Sequence, residues 1–145
     1  MLTAITHNFI WVFDQEEALD FYVGKLGFEV AADVDMGFMR WLTISAPGDL
    51  DREVLFERLG PPAHDDATAE QVRELVIKGA AGFALGLRTD DLRKTYEELK
   101  AKGVDFLQEP SDRPYGVEAV CRDNSGNWMV LVEQKAYSGE DFPHS

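Results

Sequence analysis

A single cysteine, Cys121, stands among 145 residues, so no internal disulfide can hold the fold. Cations are also scarce: 14 lysines and arginines face 27 acidic residues, for a net charge of −13 and a pI of about 4.5. A surface that negative repels phosphate backbones and anionic bilayers, which argues against nucleic-acid and membrane partners. No apolar run approaches the roughly 20 residues needed to cross a bilayer, and no stretch has the layout of a signal peptide. Glycine-rich phosphate cradles are missing, as is any Ser/His/Asp arrangement. These absences describe a reduced, soluble, cytoplasmic protein. What is present suffices for a core: 45% of residues are hydrophobic and 11% aromatic, well outside the composition of disordered chains.

The stretch Asp14 to Phe28 carries the plan of the chain. Asp14 is placed to cap a helix, with Glu17 completing a capping box. Ala18, Phe21, Tyr22 and Leu26 recur at helical spacing, Gly27 supplies the left-handed stop, and a strand follows from Phe28. Upstream, Thr3–Phe13 alternates as a strand, with His7, Phe9 and Trp11 on one face and Ile10 and Val12 on the other. Apolar residues on both faces suggest a central strand. Strands at 38–44 and 52–59 complete a βαβββ unit.

The plan recurs after a linker at 60–66 and a helix at about 67–78. Gly82–Leu87 reads as a strand and Thr89 or Asp90 as a cap. Leu92, Tyr96 and Leu99 form the buried stripe, and Gly103 is the stop. Asp14 to Gly27 and Asp90 to Gly103 both span thirteen positions. Three further strands follow, the last beginning near the turn Asp123–Gly126. The reading is one domain, 1–145, of two units at about 3–60 and 81–134, with a polar tail at 135–145. Its class is α+β: two tandem βαβββ units forming an open, curved, mixed sheet, a half-barrel trough.

His7 with Asp14, Ala18-Leu-Asp-Phe-Tyr22, Leu26-Gly-Phe28, Tyr115-Gly116 and Asp123-Asn-Ser-Gly-Asn127 resemble the vicinal oxygen chelate (glyoxalase/bleomycin resistance protein/dioxygenase) superfamily. The resemblance spans roughly residues 3 to 134 and implies the half-barrel fold. It implies a divalent metal, Zn, Ni, Mn or Fe, in the trough, held by the first and last strand of each unit. His7 matches the first position. Glu53 and Glu57 share a strand face, and Glu57 is the favoured second ligand. The corresponding places in the second unit fall at Gly82 (or Phe83) and Val130, which cannot ligate. Glu133 stands near the end of the last strand. The alternative is therefore no metal at all.

Two functions follow from the resemblance. One is a metal-dependent lyase, isomerase or dioxygenase on a small oxygen-rich molecule, with Glu57 and Glu118 as catalytic carboxylates. The other is a non-catalytic protein that binds and sequesters a drug or antibiotic. Phe9, Trp11, Arg40, Trp41, Tyr115 and Trp128 are the candidate ligand contacts, through aromatic walls and a bidentate guanidinium. Superfamily members commonly pair, which implies a homodimer. Cys121 reads as inert core filling, and His64 and His144 lack ligand-like neighbours.

Overall fold

A computed structural model describes residues 1–136 and residue 140. Most of the expected tail, with His144, lies outside the described residues. The chain divides into two compact units: Met1–Gly82 with Asn124–Asn127, and Phe83–Asp123 with the segment that begins at Trp128.

In the first unit, strand β1 (His7–Val12) leads into helix α1 (Gln15–Leu19). Strands β2 (Glu29–Asp35), β3 (Arg40–Ala46) and β4 (Asp49–Arg58) follow, then helix α2 (Asp66–Ile77). Asp14 caps α1 as expected, its carboxylate accepting from the Glu17 amide at 2.9 Å. The helix does not stop at Leu19 but widens into a π-type turn through Asp20–Lys25, and the Leu26 amide donates five residues back to Phe21. Gly27 then adopts φ +80°, where a side chain would be strained, and Phe28 donates back to Tyr22. This end buries Ala18, Phe21 and Tyr22.

The sheet order is β1-β4-β3-β2, with β1 parallel to β4 and the other neighbours antiparallel. Strand β1 thus lies at the end of that order, not in the middle as its two apolar faces suggested. Alternation sends Ile10, Val12, Leu42, Ile44 and Phe56 into the core.

The second unit repeats the arrangement with β5 (Phe83–Arg88), helix α3 (Leu92–Ala101), β6 (Asp105–Arg113), β7 (Gly116–Arg122) and β8 (Trp128–Gln134), in sheet order β5-β8-β7-β6. Asp91, not Thr89 or Asp90, caps α3, accepting from Lys94 at 3.1 Å. The equal thirteen-residue spacings therefore do not measure the repeat; strand order and pairing do. Strand β6 also runs on through Pro110, where pairing with β7 slips between Gln108 and Ser111, so the turn falls at Pro114–Tyr115. A bulge accommodates the missing proline amide.

The turn Asn124–Asn127 belongs with the first unit. Asn127 donates from its carboxamide to the Trp11 carbonyl at 2.8 Å. Gly126, at φ +113°, lies so close to α2 that a β-carbon there would come within 2.7 Å of the Val76 carbonyl oxygen. Both motif residues are thus fixed by local packing.

Candidate functional site

The sheet face of the first unit turned away from its helix gathers His7, Phe9 and Trp11 on β1, Glu53, Leu55 and Glu57 on β4, and Trp41 and Thr43 on β3. The parallel register sets His7 opposite Glu53 and Trp11 opposite Glu57. Four residues of strand, ~13 Å, separate the two glutamates, so His7 and Glu57 are not brought together.

His7 Nε2 is 3.5 Å from Glu53 Oε2, and the Thr6 hydroxyl lies 2.9 Å from Nδ1. Glu53 also accepts from the Thr43 hydroxyl at 2.5 Å. A polar line therefore crosses three strands, Thr43–Glu53–His7, with the imidazole ring 5.9 Å from Trp41. Phe9 meets Trp11 edge-on at 4.9 Å, and Trp11 meets His64 at 5.2 Å. Phe9 remains 51% exposed. His64, which had no evident role in the sequence, is thus a ring contact of this face.

Arg40 takes the other side of β3. Its guanidinium bonds Asp33 through two nitrogens, at 2.8 and 2.9 Å, and Glu16 at 2.5 Å. The arginine holds the Asp33 carboxyl below the ordinary carboxylate range, chiefly through that hydrogen bond. The same carboxylates raise Arg40 above its usual value. Its partners join α1, β2 and β3, so the guanidinium is engaged.

The second unit's corresponding face differs. Phe83, the first residue of β5, stands opposite Trp128, and the two rings are 5.3 Å apart. Gly86 lies opposite Val130. Glu118 lies opposite Val132. Its carboxylate accepts from the Tyr115 hydroxyl, with Arg113 Nε at 3.6 Å. Glu133 instead serves α3, accepting from the Leu92 amide at 2.9 Å. Cys121 is fully buried, and burial pushes its thiol up to about 12, so no thiolate is at hand near neutral pH.

These residues do not fit a resident transition-metal ion. A tight site takes three or more protein donors. His7 and Glu53 are two, and their second-unit counterparts are rings. Among the described residues no group of three His, Cys, Asp or Glu is placed to hold one.

A cavity of about 410 Å³ opens near the end of β4, where Phe38, Met39, Phe56, Arg58 and the prolines Pro61 and Pro62 form much of its wall. Gln15 and Glu57 border it too. Nothing in the sequence pattern singled it out, because it arises from a parting of β3 and β4 that depends on register.

Comparison with known proteins agrees with this geometry. The chain is 37% identical to the uncharacterized protein YurT of Bacillus subtilis (strain 168) over 126 residues, 86% of this chain and 94% of that one. Among solved structures it resembles UcmS2, at 42% identity and TM-score 0.88, covering 92% of this chain and 100% of the other. It also resembles TnmS3, an antibiotic binding protein from Streptomyces sp. CB03234, at 28% identity and TM-score 0.73, covering 92% and 98%. The family model of the Glyoxalase/Bleomycin resistance protein/Dioxygenase superfamily matches residues 4–131. With the family match, the paired βαβββ sheets and the relatives in accord, the chain belongs to the glyoxalase/bleomycin resistance protein/dioxygenase superfamily.

Proposed function

We propose that the protein binds a flat aromatic small molecule, a drug or antibiotic, and sequesters it without chemistry. The observation that carries this is the first unit's sheet face, where Phe9, Trp11 and Trp41 accompany His7 and Glu53, the two potential metal donors that the register brings together among the described residues, with Glu57 four residues further along the strand. Aromatic rings hold a planar ligand by stacking and apolar burial, neither of which needs a metal. The likeness to an antibiotic binding protein supports the same reading. Glu53 and Glu57 give the face negative charge, so an amino substituent on the ligand adds attraction. Phe83, Trp128 and Tyr115 are the candidate ligand contacts of the second unit taken by itself. Isothermal titration of chelator-treated protein with planar amino-bearing antibiotics tests the proposal: binding unchanged by chelation is expected, and binding only after Zn, Ni, Mn or Fe is added overturns it.

A second reading, an enzyme acting on a small oxygen-rich molecule, is favoured by the Thr43–Glu53–His7 line. There the carboxylate orients the imidazole as a general base, with Glu57 and Glu118 as further carboxylates. Exchange of acidic substrate protons with deuterium, lost in His7→Ala, marks that reading.

The protein is further proposed to be a cytoplasmic homodimer. No helix among the described residues is long and apolar enough to cross a membrane. Val30 and Val34, both 47% exposed on the edge strand β2, favour pairing. Light scattering should return about twice the 16.3 kDa chain mass; the chain mass itself contradicts it.

A further inference from the structure

Strands β3 and β4 pair through Ile44–Val54 and Thr43–Leu55 and then part. Continuing that register would set Trp41 against Glu57 and Arg40 against Arg58, and neither pair forms. The Gln15 carboxamide fills the gap, donating to the Arg40 carbonyl at 3.2 Å and the Phe56 carbonyl at 3.4 Å. Backbone acceptors freed by the parting thus keep a donor, and the sheet opens without orphaning them. The cavity of about 410 Å³ lies at this opening, within the roughly 300–1,000 Å³ typical of small-molecule pockets.

Its walls are apolar: Phe38, Met39, Phe56, Pro61 and Pro62. Two arginines border it. Arg40 is bound by two carboxylates, Asp33 and Glu16, so that cluster carries a net charge of −1 and offers no free cation. Arg58 is exposed, and its guanidinium has no ion pair or hydrogen bond among the described residues. Strand alternation puts Arg58 on the side of Phe56, and its register partner is the buried Val12. Glu57, one residue away, belongs to the opposite face. Arg58 is therefore the cation of the lining that no carboxylate holds, with Glu57 the lining carboxylate next to it in the chain.

We propose that this cleft is a second small-molecule site, adjoining the aromatic face at Glu57 but distinct from its rings, for a flat one- or two-ring molecule bearing a carboxylate. The rings lie against Phe38, Met39 and the two prolines, and the carboxylate pairs with the Arg58 guanidinium, whose planar fork matches it. The net charge of −13 opposes approach of an anion, but salt screens distant charges beyond about 8 Å, so the contact pair decides affinity.

The test uses ¹⁵N-labelled full-length protein titrated in parallel with 2-naphthoate, 2-naphthamide and 2-naphthylmethylamine. Expected are naphthoate-induced shifts in the Gln15 side-chain amide and in the backbone amides of Met39, Arg40, Glu57, Arg58 and Ala63, with the His7 ring unmoved. Arg58→Ala, at an exposed position, should weaken naphthoate about tenfold or more, with Arg58→Lys restoring part of the loss. Ala63→Phe, which enlarges an exposed lining residue, should weaken naphthoate binding while circular dichroism stays unchanged. Naphthylmethylamine binding in the cleft as tightly as naphthoate overturns the proposal. So do an unaltered affinity in Arg58→Ala, shifts confined to the His7 face, and no shift at millimolar naphthoate. Failure here leaves the aromatic-face proposal standing, because that one is read on His7, Trp11 and Trp41 with an amino-bearing ligand.

Discussion

The two units share a strand order and differ in how their last two antiparallel strands close. In the second, β7 and β8 pair at every position from Gly116–Gln134 to Arg122–Trp128. In the first, β3 and β4 pair near the hairpin and then separate, with Gln15 bridging the break. The opening strands differ as well: His7 meets Glu53 where Phe83 meets Trp128. One plan thus yields an opened sheet whose first pair is polar and a closed sheet whose first pair is aromatic. A repeat conserves the backbone frame, whereas chemistry depends on single side chains at matched register positions. The same register position thus holds a donor pair in one unit and a pair of rings in the other, with the frame alike in both.

The comparison can be broken most forcefully at the closed hairpin. A β-carbon on Gly116, at φ +141°, would lie 1.9 Å from the Glu133 carbonyl oxygen. Gly116→Ala should therefore cost ~3 kcal/mol or more in urea unfolding. Gly27→Ala in the first unit, with φ +80° and nothing within 4 Å, should cost only ~1 kcal/mol from backbone conformation. Equal losses at both positions would mean the second hairpin is not so tightly closed.

Next in size is the effect on ligand. Trp41→Ala should weaken a planar antibiotic by about tenfold, the loss of one stacked ring, and by more than Trp128→Ala does. The reverse order by titration calorimetry would move the principal site to the second unit. Gln15→Ala should cost ~1–2 kcal/mol in the same unfolding assay, since two carbonyls lose their donor. A neutral result would show that β3 and β4 close by themselves once the side chain is gone.

The smallest effect is acid sensitivity. Asp33 titrates below its ordinary value of 3.8 in the folded chain because Arg40 bonds it. Its contribution is complete above that ordinary value and fades as pH falls through the lower folded one. Arg40→Gln should remove that small contribution at neutral pH and so flatten the part of the stability profile below pH ~4, bringing variant and parent together in acid. An unaltered acid limb would show that the pair contributes nothing.

Much of the frame is legible in the residues. Asp14, the Ala18/Phe21/Tyr22 stripe and Gly27 announce their helix because capping, burial and left-handed backbone each demand particular residue types. The Asp123–Asn127 turn is recognisable for similar reasons, although its partners, Val76 and Trp11, lie far off in sequence. Thr89, Asp90 and Asp91 are all competent caps for α3, and only the chain's path selects Asp91. Register was the larger gap. Glu53 and Glu57 obey the same alternation, so the sequence alone could not say which faces His7. That depends on how β1 slides along β4, set by packing of Val12, Phe56 and the helix beneath. Arg40 looked like a ligand contact because its partners Asp33 and Glu16 sit on two other elements. Gln15 carried no signal, since its role exists only where two strands part.

The central claim is that the first unit's aromatic face takes a planar molecule without a metal. Its most direct measurement is the indole N–H spectrum of chelator-treated, ¹⁵N-labelled protein titrated with a planar amino-bearing antibiotic. The account predicts saturable shifts of Trp11 and Trp41 at one equivalent per chain, unchanged when Zn or Ni is added. Indoles of Trp11 and Trp41 that stay fixed, or move only once metal is supplied, would contradict it.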